Sequence, residues 1–455
     1  MQQFFRKLTG ITALALAGAV LGAAQTSSQP AQSGQAAPAA KKKQYKDQQE
    51  YTLYDSATKE ADPNKKLATL NTWKQKYPDS DFKLEREMLF LDTYQKLNQF
   101  SKMIDTAKEI LEIDPKEIHA LYWITLLTPQ LNLNSPDGLA TGEKAANGLL
   151  AAEAPPGTKP EDWEKAKKVT DAIAYKTLGW IAKERKNYDL AEQNFHKSLE
   201  MEPKSGEVDY WLGAAILGEK KPDRMSEALF YFARAAAYDG PGAMTPQQRK
   251  QADDFLNQIY PKVHGDTSGL ADLKTLAKTN GTPPAGFKIK TAAEIAADKE
   301  EELKKTNPQL ALWLNIKGQL LGDGGQTYFD GSMKGAALPG GAGGVSKFKG
   351  WLVSAKPPVK SKELLVSMGG KDQPADVTLK LVGADGTTPA ALTGKPIVGE
   401  EIEFEGVADS FTKDPSFMVT FNTEKSKICT VTPDGCSVLK EERVVPPHRP
   451  VHRKQ

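Results

Sequence analysis

Two stretches of this chain repeat one spacing of small, aromatic and helix-ending residues. In the first, Leu178-Gly179 is followed by Ala191-x-x-x-Phe195 and then by Pro203. In the second, Leu212-Gly213 is followed by Ala228-x-x-x-Phe232 and then by Gly240-Pro241. Few folds accept such a pattern. Tyr175, Leu178, Gly179 and Ala182 fall on one face of a helix. Small Gly179 and Ala191 let two helices of a pair approach closely, Phe195 fills the seam, and Pro203 cannot continue a helix. The second unit carries three more residues between its halves, at the loop-like Lys220-Lys221-Pro222-Asp223.

Weaker copies precede these two. Pro115 stands after Ala107, Tyr94 and Phe90-Leu91, and Pro78 after Leu70, Ala57 and Leu53-Tyr54. Neither copy has the Leu-Gly pair, and Met103 or Lys66 stands where the small alanine belongs. Residues 116–155 hold a further pair, Ile118–Leu131 and Asp137–Ala152, that fits the repeat badly. The pattern closely resembles the tetratricopeptide repeat, W-x-x-L-G-x-x-Y…A-x-x-x-F…P, over roughly residues 45–240. The amphipathic segment beyond Pro246 suits a cap, so the expected α-solenoid of helix pairs runs over 45–280.

The resemblance implies a groove lined by the first helix of each pair, and a partner protein or peptide held in it. By register the candidates are Lys176, Trp180 and Lys183 in the best unit, Tyr210 and Leu217 in the next, and Met88 and Asp92 upstream. Trp180 and Tyr210 would be aromatic anchors; alternatively, they pack against a neighbouring helix. Trp180 stands where the carboxylate-clamp subfamily uses asparagine, which argues against capture of a chaperone C-terminus.

Past the helices the pattern changes. Residues 281–307 read as a linker and a helix, and residues 308–430 as a small β domain that includes a glycine-rich loop over 322–344. The runs FKGWLVSAK, ELLVSM, VTLKLV, EIEFEGV and FMVTF are bounded by Gly, Pro and Asp. Five such strands suit a small barrel or sandwich, and their arrangement resembles an OB-type barrel. Glu401, Glu403 and Glu405 alternate with Ile402 and Phe404 as the solvated face of one strand. Residues 309–428 carry 13 basic and 13 acidic side chains, so nothing in this domain favours phosphates. A β module binding a glycan or a peptide, with the repeats as its scaffold, is the competing reading.

The chain opens with Arg6-Lys7, an apolar run from Leu8 to Leu21, and Gly22-Ala23-Ala24. These read as a secretory signal over 1–24, against the alternative of an uncleaved anchor. Residues 25–44 read as a disordered linker and 431–455 as a disordered basic tail. The expected location is periplasmic or secreted, without an integral membrane span. Of 455 residues, 60 are Lys or Arg and 58 Asp or Glu; without 1–24 the charges balance, and no nucleic-acid partner is expected. Cys429 and Cys436 flank the turn-like Thr432-Pro433-Asp434-Gly435, so in an oxidising compartment they either form a local disulfide or stay reduced in a mobile tail. The five histidines show no metal-ligand spacing, and His196 reads as a solvent-side neighbour of Phe195. Neither a phosphate-binding glycine loop nor a nucleophile elbow occurs. No cofactor and no catalysis are expected.

Overall fold

The computed structural model describes residues 43–442 and divides into two compact units between Lys290 and Thr291. Among the described residues the first unit holds twelve α-helices: α1 (Gln48–Lys59), α2 (Pro63–Lys76), α3 (Lys83–Lys96), α4 (Phe100–Ile113), α5 (Ile118–Gln130), α6 (Pro136–Leu150), α7 (Pro160–Glu184), α8 (Tyr188–Met201), α9 (Gly206–Gly218), α10 (Met225–Ala237), α11 (Pro246–His264) and α12 (Leu270–Thr279). Neighbours in sequence pack as pairs, and α7 also touches the first helices on either side of it, α5 and α9. This is a tetratricopeptide-type solenoid.

The spacing read from the sequence has its cause in this packing. A Cβ on Gly179 would lie 2.5 Å from the Phe195 ring, and one on Gly213 would lie 3.1 Å from the Ala228 carbonyl oxygen and 3.3 Å from Phe232. Ala191, Phe195, Ala228 and Phe232 are fully buried. In the weaker units Met103 and Lys66 are also buried at the alanine position. Burial lowers the Lys66 pKa by stripping water from the ammonium, and the nearby Lys96 charge adds to the effect. Four successive pairs turn through one left-handed residue, Asn98, Asn132, Lys186 and Lys220. Asparagine tolerates that conformation best; the two lysines hide the signal from the sequence.

Three boundaries differ from expectation. Helix α7 starts at Pro160, well before Tyr175, the first residue of the pattern, because Pro160 at the first turn and Glu161-Asp162 after it favour a helix start. Residues 281–290 are no linker. Phe287 packs on Phe230 with ring centroids 5.6 Å apart, and Ile289 is buried in the helical core. Arg234 also fixes this end, donating to the Asn280 carbonyl at 2.7 Å, the Ala277 carbonyl at 3.3 Å and the Pro203 carbonyl at 3.1 Å. Its Nε lies 3.0 Å from buried Asp209.

The second unit opens with α13 (Ala292–Thr306), α14 (Pro308–Leu321) and α15 (Gly325–Tyr328). Among the described residues eleven strands follow: β1 (Ala337–Leu338), β2 (Phe348–Lys356), β3 (Glu363–Ser367), β4 (Val377–Val382), β5 (Lys395–Pro396), β6 (Glu401–Phe404), β7 (Gly406–Thr412), β8 (Met418–Glu424), β9 (Ile428–Thr432), β10 (Gly435–Val438) and β11 (Glu441–Glu442). Nine of them form one curled sheet in the order β1-β7-β8-β4-β3-β2-β6-β9-β10. Only Glu405 separates β6 from β7, so one run of chain pairs with β2 through its first half and with β8 through its second. The β4–β8 pair is parallel. Three aromatic rings meet inside the curl: Phe348 and Phe404 at 5.7 Å, Phe348 and Phe421 at 6.2 Å, Phe404 and Phe421 at 6.2 Å.

Helix α14 covers this core with Trp313, whose ring lies 5.9 Å from Phe348 and whose indole N–H donates to Asp376 at 2.9 Å. The glycine-rich stretch is therefore not a plain loop. Phe329 and Met333, spaced among its glycines, are buried in the β core. Nor does a tail begin at 431. Leu439 is buried in the same core, β10 pairs with β9, and β11 pairs with β5. Apolar residues at those positions draw the chain back onto the sheet. The signal, most of the 25–44 linker and the end of the basic tail lie outside the described residues. Among the described residues no helix is long and apolar enough to cross a membrane.

Candidate partner-binding face

The first helices of the pairs each leave one stripe half-exposed. On α3 it carries Met88, Leu89, Asp92 and Gln95; on α5, His119, Tyr122, Trp123 and Leu126. On α7 it carries Val169, Ile173, Lys176 and Lys183; on α9, Glu207, Tyr210, Trp211, Ala214 and Leu217. Apart from adjacent pairs such as Tyr122-Trp123 and the seven-residue step from Lys176 to Lys183, neighbours in each set are three or four residues apart, so each set lies along one side of its helix.

Trp180 does not belong to this surface. Its side chain is only 4% exposed and forms part of the helical core with Ile181 and Phe195. Because α7 packs against α5, α6, α8 and α9, the position that register assigned to the groove is covered. The expected alternative, packing, describes Trp180. Tyr210 is intermediate: its ring lies 5.4 Å from Phe232 and 6.4 Å from Phe255, yet it is half-buried. Leu217 and Met88 are half-buried and Asp92 is exposed.

The two lysines are already engaged. Lys176 Nζ lies 2.5 Å from Glu207 and 5.4 Å over the Trp211 ring. Lys183 pairs with its neighbour Glu184. On α5, His119 pairs with Glu117 at 2.8 Å, and that carboxylate raises the imidazole pKa, against the opposing effect of burial. Asp92, which also raises the His119 pKa, has no ion-pair partner among the described residues.

Those aromatics form a repeat the sequence reading missed. Tyr122-Trp123 are the fifth and sixth residues of α5, and Tyr210-Trp211 are the fifth and sixth of α9. Aligning the pairs on Leu212 puts Ile124 opposite it and buried Thr125 opposite Gly213, which is why the unit around Tyr122 fits the glycine-based pattern badly. The Tyr122 and Trp123 rings stand 5.3 Å apart at 78°, in edge-to-face contact. Desolvation raises the pKa of both Tyr122 and Tyr210, so each phenol remains a neutral donor at physiological pH. Among the described residues, no hydrogen-bond partner reaches the Tyr122 or Tyr210 hydroxyl or the Trp123 or Trp211 indole N–H.

Two groups among the described residues bring three metal-capable side chains together. In one, Glu403 lies beside Cys429 and Cys436, but the cysteines are bonded to each other across β9 and β10, with their Cα atoms 5.6 Å apart. In the other, Glu192, His196 and Glu227 surround Arg224, which reaches Glu192 at 2.5 and 2.8 Å and Glu227 at 2.5 Å. The guanidinium occupies the place a cation would take. His196 is half-buried and 3.5 Å from Glu192, not simply solvent-facing. Glu403 and Glu405 are half-buried and paired with Lys349 and Lys427, at 3.4 and 3.6 Å.

No family model and no curated protein matches the chain. Solved structures similar to it include PilW, described as a widely conserved type IV pilus biogenesis factor, at 14% identity over 62% of this chain and 99% of that one, with a TM-score of 0.28. Another is a thermophilic TPR protein of Thermus thermophilus, at 15% identity over 46% of this chain and 95% of that one, with a TM-score of 0.23. At these scores neither neighbour bears on what this chain does.

Proposed function

We propose that this chain is a non-enzymatic interaction protein of the bacterial envelope, holding a partner protein or peptide along the open faces of α3, α5, α7 and α9. One observation carries the reading: two Tyr-Trp pairs sit half-exposed at equivalent positions of α5 and α9, with hydrogen-bond donors unused among the described residues. Aromatics of this kind bury much area at low entropic cost and are enriched among binding hot spots. Met88, Asp92, Lys183 and Leu217 border the same faces. Export rests on the charged start at Arg6-Lys7, the apolar run after it and Gly22-Ala23-Ala24.

The test is retention of partners by the full chain and by Trp123→Ala/Trp211→Ala, both confirmed folded by circular dichroism. A partner retained by the wild type and lost by the variant supports the reading. Equal retention by the two folded proteins moves the binding surface elsewhere.

The other place is the β unit. Its circuit of β2, β3, β4, β8 and the β6–β7 run supports the OB-like reading, a barrel type that binds oligosaccharides on its strand face. Half-buried Trp351, with the Lys371 ammonium 5.6 Å over its ring, would be the first residue to test there against a glycan or peptide.

A further inference from the structure

We infer that the segment held on the helical unit is an uncharged, proline-rich, extended peptide that bridges Tyr122-Trp123 on α5 and Tyr210-Trp211 on α9. This rests on the proposed interaction role and adds the chemistry of the partner. Three observations lead to it.

The first is hydrogen bonding. Four side chains on these faces present donors with no partner among the described residues: two phenol hydroxyls and two indole N–H groups. Their natural complement is a row of free acceptors. An α-helical partner would not provide one, since its carbonyls are consumed by its own i to i−4 bonds. A polyproline II segment makes no internal hydrogen bonds and leaves its carbonyls free.

The second is shape. The Tyr122 and Trp123 rings meet nearly edge to face, with centroids 5.3 Å apart at 78°, and so present two apolar walls at a steep angle to each other. A pyrrolidine ring is flat and apolar, and its φ is already fixed, so little entropy is lost on docking. Both α5 and α9 pack on α7. Their axes are therefore two helix spacings apart, roughly 16–20 Å. A polyproline II chain rises about 3.1 Å per residue and covers that span in about six residues.

The third is charge. Most ionised groups flanking the aromatics are matched within the chain: Lys176 with Glu207 at 2.5 Å, Lys183 with Glu184, Lys167 with Asp171, and His119 with Glu117 at 2.8 Å. Asp92, near enough to raise the His119 pKa, has no ion-pair partner among the described residues and would repel an acidic segment. An acidic partner would have to displace Glu207 or Glu184 from its lysine. An uncharged segment leaves every pair intact.

The experiment titrates the full chain with three synthetic peptides: an uncharged proline-rich one, an amphipathic helical one and a glutamate-rich one. Calorimetry reads binding at low and high salt. The proline-rich peptide binds, its affinity changes little with salt, and versions shorter than roughly six residues bind poorly. Trp123→Phe and Trp211→Phe keep the rings and remove the indole donors; each weakens binding roughly 2- to 10-fold, the worth of one hydrogen bond. Tighter binding of the helical or the glutamate-rich peptide overturns the inference. If that binding is lost in Trp123→Ala/Trp211→Ala, the interaction face itself stands and only the peptide chemistry is wrong. Binding of the proline-rich peptide unaltered by all of these variants removes the face as well. Absence of binding by that peptide at millimolar concentration overturns the inference outright.

Discussion

Helix α7 and strand β8 are both central to their units, but different neighbours hold them. Helix α7 packs chiefly on α6 and α8, the elements just before and just after it in the chain. Strand β8 pairs with β7 on one side and, in parallel, with distant β4 on the other. The helical unit is a row in which each pair needs only its neighbours. The sheet is a circuit, and its inner rings Phe348, Phe404 and Phe421 come from β2, β6 and β8. Damage should therefore spread in the second unit and stay local in the first.

The largest effect should come from the circuit. Phe421→Ala removes a fully buried ring that touches two others and should cost about 3–5 kcal/mol. The expected result is early loss of the β unit in thermal melts monitored by near-ultraviolet circular dichroism, with the helical transition unmoved. Simultaneous loss of both transitions would show the two units to be coupled.

Removal of 281–290 comes next. A fragment ending at Lys290 keeps Phe287 and Ile289 on the helical core; one ending at Asn280 loses both. Fully burying one large apolar side chain is worth about 1.5–3 kcal/mol. The shorter fragment should melt lower and be cut faster in limited proteolysis. Equal melting temperatures would return this segment to the status of a linker.

Gly179→Leu tests the repeat itself. The new side chain would start 2.5 Å from the Phe195 ring, and overpacking should cost about 1–3 kcal/mol. Hydrogen exchange should accelerate in α7 and α8 and remain unchanged in α1 and α2. A uniform acceleration across the unit would contradict the row-like picture.

The two units also differ in how much their sequences disclosed. Leu-Gly, Ala-x-x-x-Phe and Pro lie within one helix pair, so local spacing reports them, and the close contacts of Gly179 and Gly213 follow. Where the alphabet changes, as at Thr125 in place of glycine, the pair was found but its alignment was not, and the Tyr122-Trp123 repeat went unseen. Trp180 was misplaced because register describes a single helix, whereas α7 is enclosed by several. In the β unit the alternation in β4, β6 and β8 was legible. The pairing of β4 with β8 was not, because residues distant in sequence select it. The short strands β10 and β11 escaped for the same reason: each depends on a partner formed earlier in the chain.

A pH dependence is also expected. Burial pushes the Asp209 carboxyl up to about 7, while Arg234 partly offsets that rise. A raised folded-state pKa means the folded chain holds this proton more tightly than the unfolded one. The resulting stability is full below the unfolded value near ~3.9 and is lost as pH rises through about 7. Asp209→Asn should therefore flatten the fall in helical-unit melting temperature between about pH 4 and 7. Parallel profiles for wild type and variant would show that Arg234 keeps the carboxylate charged throughout.

The central claim, that the open faces of α5 and α9 meet a partner, is tested most directly by site-specific photo-crosslinking in the cells that make the protein. A benzophenone amino acid would replace Tyr122 or Leu217 on those faces, and Gln193 or Glu200 on the exposed side of α8. The account predicts one adduct of the same mass from Tyr122 and Leu217 and none from the α8 positions. Adducts from Gln193 or Glu200 alone, or none from either open-face position, would contradict it.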